Sequence, residues 1–398
     1  MRVVTETIAA LGRARTAVTV AFLVHGLVGA AWVARIPQIK RELGLSEGAL
    51  GVALLGAPVG VVLAVRFAGW TVARWGSRAT TLASGTAAAL ALVPLGLSWN
   101  IAALTCSLVL MGGSLGLMDV AMNAQGVAVE RRYGRPLMSG LHGAYSVGTL
   151  GAALAGSAAA HLEVPVAVHL SVAAAVLTAV LLLCCRDLMD RSADVLPDPE
   201  TERTAAGAAP DPAVRAGRWT LALLGVIGLC SFVGEGAMAD WSAVYLRETL
   251  ETGPGLAGLG YAGCAVAMAV GRLAGDRVVA RFGPVPVLRA GSLVAALGLG
   301  LGLLAEHPAV AVLGFTLFGL GVAPVAPVTF SAAGNLPGVP AANGISRVTA
   351  VGYLGLLGGP PVIGFVAQGV GLGWALAVPV ALVALIVPLA GATATAGR

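Results

Sequence analysis

Residues Ile101–Gly126 read IAALTCSLVLMGGSLGLMDVAMNAQG. The run is apolar and long enough to cross a bilayer, which takes about 20 helical residues. It nevertheless carries a carboxylate at Asp119 and an amide at Asn123. An ionised carboxylate in hydrocarbon costs roughly 2.5–3.5 kcal/mol on insertion scales. Such a group persists where it faces a bundle interior or a water-filled cavity, and there it marks an ion or substrate path. This stretch therefore predicts a polytopic membrane protein with few, purposeful polar groups inside.

The composition agrees. Of 398 residues, 58% are hydrophobic and 11% charged, whereas soluble domains carry about 25% charged residues. The formal net charge of +5 comes from arginines set between apolar runs. No basic run with interleaved aromatics occurs, so nucleic acid is not an expected partner. Cys106, Cys184, Cys185, Cys230 and Cys264 fall in or at the ends of apolar runs. None has metal-ligand spacing, and they read as small buried hydrophobes. The sequence has no GxxxxGK[ST] phosphate loop and no local nucleophile–base pair. It indicates no enzyme, no cofactor and no metal site. The first apolar run continues into a full span and does not end as a cleavable signal. Lys40 is the single lysine among the 24 Lys and Arg residues. With the abundant Ala and Gly, that bias resembles a high-GC bacterial genome and predicts a bacterial plasma (inner) membrane.

Reading apolar runs between charges gives twelve spans, near 16–34, 48–68, 79–97, 101–126, 139–160 and 166–185, then 219–246, 256–275, 287–305, 309–330, 344–368 and 374–392. Between the sixth and seventh lies Arg186–Arg218, rich in Asp, Glu, Arg and Pro. Such a composition builds no core and reads as a cytoplasmic linker. The expected organisation is a six-helix bundle over 1–185, the linker over 186–218, and a second six-helix bundle over 219–398. With both termini inside, only Arg35, Lys40, Arg41 and Arg247 of the 24 basic residues lie outside, as the positive-inside rule requires.

The halves repeat. Gly140, Val147, Gly148, Leu150 and Gly151 recur as Gly344, Val351, Gly352, Leu354 and Gly355, an offset of 204 (344 − 140). Val72-Ala73-Arg74-Trp75-Gly76 recurs as Val279-Ala280-Arg281-Phe282-Gly283, an offset of 207 (279 − 72). Parallel six-helix repeats place a solute site at their interface near the midplane. The fold class is thus an all-α membrane protein of twelve helices in two pseudo-symmetric bundles.

These motifs resemble the major facilitator superfamily along essentially the whole chain. The family's loop between spans two and three has Gly, then Asp, Arg, Gly and Arg at set spacing. Gly69, Arg74, Gly76 and Arg78 match, but Ala73 stands where the acid is usual. The second copy keeps Arg281 and Gly283, and Asp276 is the acid available there. Ile36-Pro37-Gln38 and the Asp119/Asn123 pair resemble the fucose-permease-like branch, whose members carry Glu and Asn at the latter spacing. That branch also has a carboxylate on span one, where this chain has Val33, so fucose is not the expected solute. The resemblance implies a monomeric secondary transporter moving a small solute by alternating access.

The candidate substrate and proton site comprises Asp119, Asn123, His142, Tyr145, Glu235 and His25. Asp119 and Asn123 are four residues apart and share a helix face. Gly112, Gly113 and Gly116 permit close helix approach. His25 and His142 lie within spans one and five, and Tyr145 sits one turn beyond His142. Glu235 falls in the outer half of span seven. Arg272 ends span eight beside Asp276 and Arg277, which reads as cytoplasmic gating electrostatics. Arg347 opens span eleven, where it reaches the surface or faces an anionic substrate. Arg35 reads as an outer helix-end charge. Carboxylates and histidines titrate, so protons are the expected coupling ion. Proton-coupled uptake of a sugar-like or other small polar solute is the leading expectation. Efflux of a drug-like compound or metabolite is the alternative, and a transport-inactive sensor or scaffold the second.

Overall fold

A computed structural model describes residues 2–194 and 212–396. Among them there is no strand. The main helices are α1 (Arg2–Ala30), α2 (Gly56–Trp75), α3 (Ser77–Leu90), α4 (Ile101–Tyr133), α5 (Met138–His161) and α6 (Val166–Cys184). They continue as α7 (Pro212–Val244), α8 (Pro254–Phe282), α9 (Pro284–Leu304), α10 (Pro308–Val322, resuming as Val325–Gly334 past Pro324), α11 (Ala341–Val370) and α12 (Ala377–Leu389). Eleven helical segments among the described residues are long and apolar enough to cross a membrane. The expected fifth span, α5, is a 24-residue helix outside that set. Its Gly, Ser, Ala and His content lowers its hydropathy while leaving it narrow.

The chain forms two compact units. Unit 1 holds Met1–Tyr133, Ala144–Pro197 and Pro340–Ser346, and unit 2 holds Gly134–Gly143, Asp198–Val339 and Arg347–Arg398.

In unit 1, α2 and α4 pack backbone to backbone. A Cβ on Gly60 would meet Val109 O, and one on Gly112 would meet Ala57 O. The small-residue stripe thus lets two helices touch where side chains would hold them apart. Likewise α1 and α5 cross at Gly26 and Gly148, where a Cβ would meet Tyr145 O and Leu23 O. The 33 residues of α4 span about 50 Å, well beyond the ~30 Å hydrocarbon core. Its start is capped by Asn100 Oδ1, which accepts from Ala103 N at 2.8 Å, satisfying an N–H that the helix leaves open.

In unit 2, α9 and α10 close through Gly298, Gly302 and Gly314, and α8 and α10 through Gly319 against Cys264 O. The sequence repeat recurs in the backbone. Gly76 (φ 83°, ψ 156°) ends α2, and Gly283 (φ 80°, ψ 160°) ends α8. Both turns require a left-handed φ, which only glycine adopts cheaply.

Candidate functional site

The apolar run that decides the fold also places the first polar centre. Every residue of α4 from Met118 through Glu130 is buried. Asn123 Nδ2 donates to Asp119 Oδ1 at 3.2 Å and to Asp119 O at 2.8 Å, the contact expected of residues one turn apart. The ion pairs among the described residues do not include Asp119. Its carboxyl, 7% exposed, therefore has an amide neighbour and no cation. From α1, His25 Nε2 lies 3.3 Å from Leu115 O, one turn before Asp119 on the same helix. The His25 ring also lies 5.5 Å from that of Tyr145 on α5. Unit 1 thus gathers Asp119, Asn123, His25 and Tyr145 around one stretch of α4.

His142 goes elsewhere. It belongs with unit 2, stacked on Phe330 at 5.6 Å and 18°.

Glu235 has a partner that local spacing did not assign to it. Arg272 Nη2 lies 3.2 Å from Glu235 Oε2, and Ser231 Oγ donates to Glu235 Oε1 at 3.0 Å. The helix that carries Arg272 is longer than the span read from the sequence. The helix α8 continues to Phe282, ten residues or about 15 Å further, and Arg272 is 6% exposed. The charges of Asp276 and Arg277 suggested an early end, but the helix runs on through them. Arg35, expected as an outer helix-end charge, is 1% exposed and donates to Gln38 Oε1 and Val164 O.

The loop motif between α2 and α3 resolves the missing acid. Asp194 Oδ2 accepts from Ser77 N at 2.8 Å, capping the start of α3. Arg191 donates to Ala73 O at 2.7 Å, and Arg78 pairs with Asp190 at 3.0 Å. Gln125 clamps the same segment. It donates to Ser77 Oγ at 2.6 Å and Met189 O at 2.8 Å, and accepts from Met189 N at 2.9 Å. The opening of the acidic interval is therefore folded against unit 1, with Leu188 and Met189 buried, while 195–211 lie outside the described residues. Burial raises the Asp194 carboxyl above the usual carboxylate range, opposed by the Ser77 hydroxyl and N–H and by Arg191. The signals for this contact were the gap at Ala73, the amide of Gln125 inside an apolar helix, and the acids after Arg186.

In the second copy of the motif, Asp276 accepts from Ser139 N at 2.9 Å and Gly140 N at 2.8 Å, at the start of α5. Arg281 lies over the Phe282 ring at 5.3 Å. Gly69 closes on Asn343, whose Oδ1 a Cβ would strike. Arg74 is exposed. No group of three or more His, Cys, Asp or Glu among the described residues has metal-site geometry.

Comparison with known proteins agrees with this architecture. The family model described as Major Facilitator Superfamily matches residues 17–338. An uncharacterized MFS-type transporter of Yersinia pestis is 35% identical over 348 residues, covering 87% of each chain. Membrane protein MosC of Rhizobium meliloti is 32% identical, covering 91% of this chain and 85% of its own. Among solved structures, FucP in the outward conformation superposes with a TM-score of 0.73 at 18% identity, covering 95% of this chain and 97% of its own. FucP is described as the E. coli fucose:proton symporter.

Proposed function

The chain belongs to the Major Facilitator Superfamily and is a multi-pass membrane transporter, and on that premise we propose that it couples uptake of a small polar solute to protons through Asp119. The carrying observation is a buried carboxyl whose neighbour is the Asn123 amide and which no Lys or Arg pairs among the described residues. Buried charges are costly unless paired. A carboxyl in that setting is suited to bind and release a proton as each side of the membrane gains access to it. His25 beside the preceding turn of α4, with Tyr145 against its ring, supplies hydrogen-bonding and ring surfaces suited to a hydroxylated solute. The proton-symporter description of FucP supports this reading by likeness of fold alone. The membrane is the bacterial plasma membrane, with both termini and the 186–218 interval cytoplasmic, as the arginine distribution favours.

The test has two stages. A thermal-shift screen of purified protein against sugars, polyols and their amino and acidic derivatives identifies a stabilising solute. Proteoliposomes with an inward proton gradient then accumulate it when labelled. Asp119→Asn mimics the protonated carboxyl, so binding and counterflow survive while gradient-driven accumulation is lost. Full accumulation by this variant with unchanged pH dependence would falsify the assignment.

A further inference from the structure

We propose that a binding site for a small zwitterion lies where α1 leaves its span and α5 turns into α6, at the outer end of unit 1 on the arginine reading above. The zwitterion is an anionic group and an ammonium joined by a short chain. Arg35 receives the anionic group, and Glu42 and Glu163 receive the ammonium. The site stands apart from Asp119 and rests on no transport role.

Two short segments form it. Past α1 the chain makes a tight turn over Val33–Arg35 and a short helix over Ile36–Glu42. Arg35, Gln38 and Glu42 recur there at helical spacing and share a face. In the second segment, residues 162–165 join α5 to α6. Val164 N donates to Ala159 O at 2.9 Å, which fixes this connection. An open cavity of about 450 Å³ is lined by Arg35, Gln38, Arg41 and Glu42 from the first segment and by Glu163 and Val164 from the second. Small-molecule sites run to about 300–1,000 Å³. All six residues belong to unit 1.

Arg35 is the buried anchor, 1% exposed. Its Nε donates to Gln38 Oε1 and its Nη2 to Val164 O, while Nη1 has no hydrogen-bond partner among the described residues. A buried donor left open is costly, and more so on a charged group. His169 of α6 lies close enough to feel the Arg35 charge, and its Nδ1 is likewise unpartnered. Glu42 also acts on Arg35 through charge. Yet the ion pairs among the described residues include none of Arg35, Arg41, Glu42 and Glu163. Arg41, Glu42 and Glu163 are exposed.

Two guanidiniums and two carboxylates therefore line one cavity without closing on each other. A lone anion would meet Glu42 and Glu163, and a lone cation would meet Arg35 and Arg41. A molecule carrying both charges sets each sign against its opposite. Its anionic oxygen accepts from Nη1, completing the guanidinium with a charge-assisted bond. Gln38 is half-buried and is the side chain that moves to admit that oxygen. The ammonium then lies toward the exposed carboxylates, and the occupant ties Ile36–Glu42 to the α5–α6 connection. A free amino acid and an ethanolamine phospholipid headgroup share this chemistry.

Calorimetric titration of the full-length protein in detergent tests this, with glycine, β-alanine and 4-aminobutyrate as free zwitterions of increasing length. At least one should bind roughly ten times more tightly than acetate or methylammonium, which carry one charge each. Glycerophosphoethanolamine presents the same two charges from a lipid headgroup, and its binding in place of the amino acids would assign the site to lipid. Arg35→Lys keeps the charge without the planar fork and should weaken binding about ten-fold. Because buried Arg35 also holds Val164 O, the exposed Glu163→Gln is the variant that spares the fold, and it should weaken binding roughly two- to five-fold. Asp119→Asn should bind as wild type does. No binding by any of the four zwitterions, affinity no better than that of the single-charge controls, or full affinity in both Arg35→Lys and Glu163→Gln would overturn the proposal. A loss confined to Asp119→Asn would move the ligand to that carboxyl and likewise overturn it.

Discussion

Replacing Gly148 by Ala should cost more than the same change at Gly352 or Gly391, and the structure ranks the three costs. A Cβ at Gly148 would strike Leu23 O and lie 3.1 Å from Leu27 N. Both are backbone atoms of α1, so relief requires the two helices to separate. Overpacking of this kind costs about 1–3 kcal/mol. At Gly352, the matching position of the repeat, the nearest atoms are Phe232 ring carbons at 2.8 and 2.9 Å. A ring can turn, so the cost should fall near or below about 1 kcal/mol. At Gly391 nothing lies within 4 Å, and the change should stay within about 0.5 kcal/mol. Using Gly391→Ala as the reference removes most of the shared gain from replacing glycine. At about 2–4 °C per kcal/mol, Gly148→Ala should melt roughly 2–12 °C below Gly391→Ala. Thermal unfolding of purified protein, followed by a thiol-reactive or intrinsic fluorescence signal, gives the order. Equal melting of Gly148→Ala and Gly391→Ala would refute the close crossing of α1 and α5. A larger loss at Gly352 than at Gly148 would refute the distinction between rigid and movable neighbours.

Two further expectations concern the cytoplasmic side. Asp194→Ala removes the acceptor for Ser77 N and should cost about 1 kcal/mol, the usual worth of a helix cap. Asp194→Asn keeps an oxygen there without the buried charge and should melt no lower than wild type at neutral pH. Burial raises the Asp194 carboxyl, so the folded protein holds this proton more tightly than the unfolded chain. Its share of stability is therefore full below the ordinary carboxylate range and is lost as pH rises through the raised value. Melting curves of wild type and Asp194→Asn across that range should converge at low pH, and parallel curves would contradict the sign. For topology, in a cysteine-free background, a cysteine at exposed Thr249 should react with an impermeant reagent in intact cells. One at Ala208, outside the described residues, should react only after lysis, and the reverse pattern would invert the orientation.

What the sequence disclosed followed from local periodicity. Asp119 and Asn123 lie one turn apart, so their contact was implied by spacing alone. The repeated Val-Ala-Arg-aromatic-Gly run carried a backbone instruction, because a glycine closing each copy permits the same left-handed turn. Contacts across the chain were not written locally. Ser77 and Asp194 are separated by 117 residues, and Glu235 and Arg272 by 37. A charge also misled the reading of helix length. Asp276 marked the apparent end of the eighth span, yet hydrogen bonding carries a helix through polar residues once it leaves hydrocarbon. The longer helix leaves Arg272 ten residues before its end, against Glu235.

The two carboxylates consequently sit in different surroundings. Protonating Asp119 removes an uncompensated charge from its unit, and Asn at that position leaves no orphan behind. Glu235 lies 3.2 Å from the Arg272 guanidinium, so an uncharged side chain there removes one member of an ion pair. On this reasoning Glu235 is no substitute for Asp119. The difference lies in the neighbour each was given, an amide in one case and a guanidinium in the other.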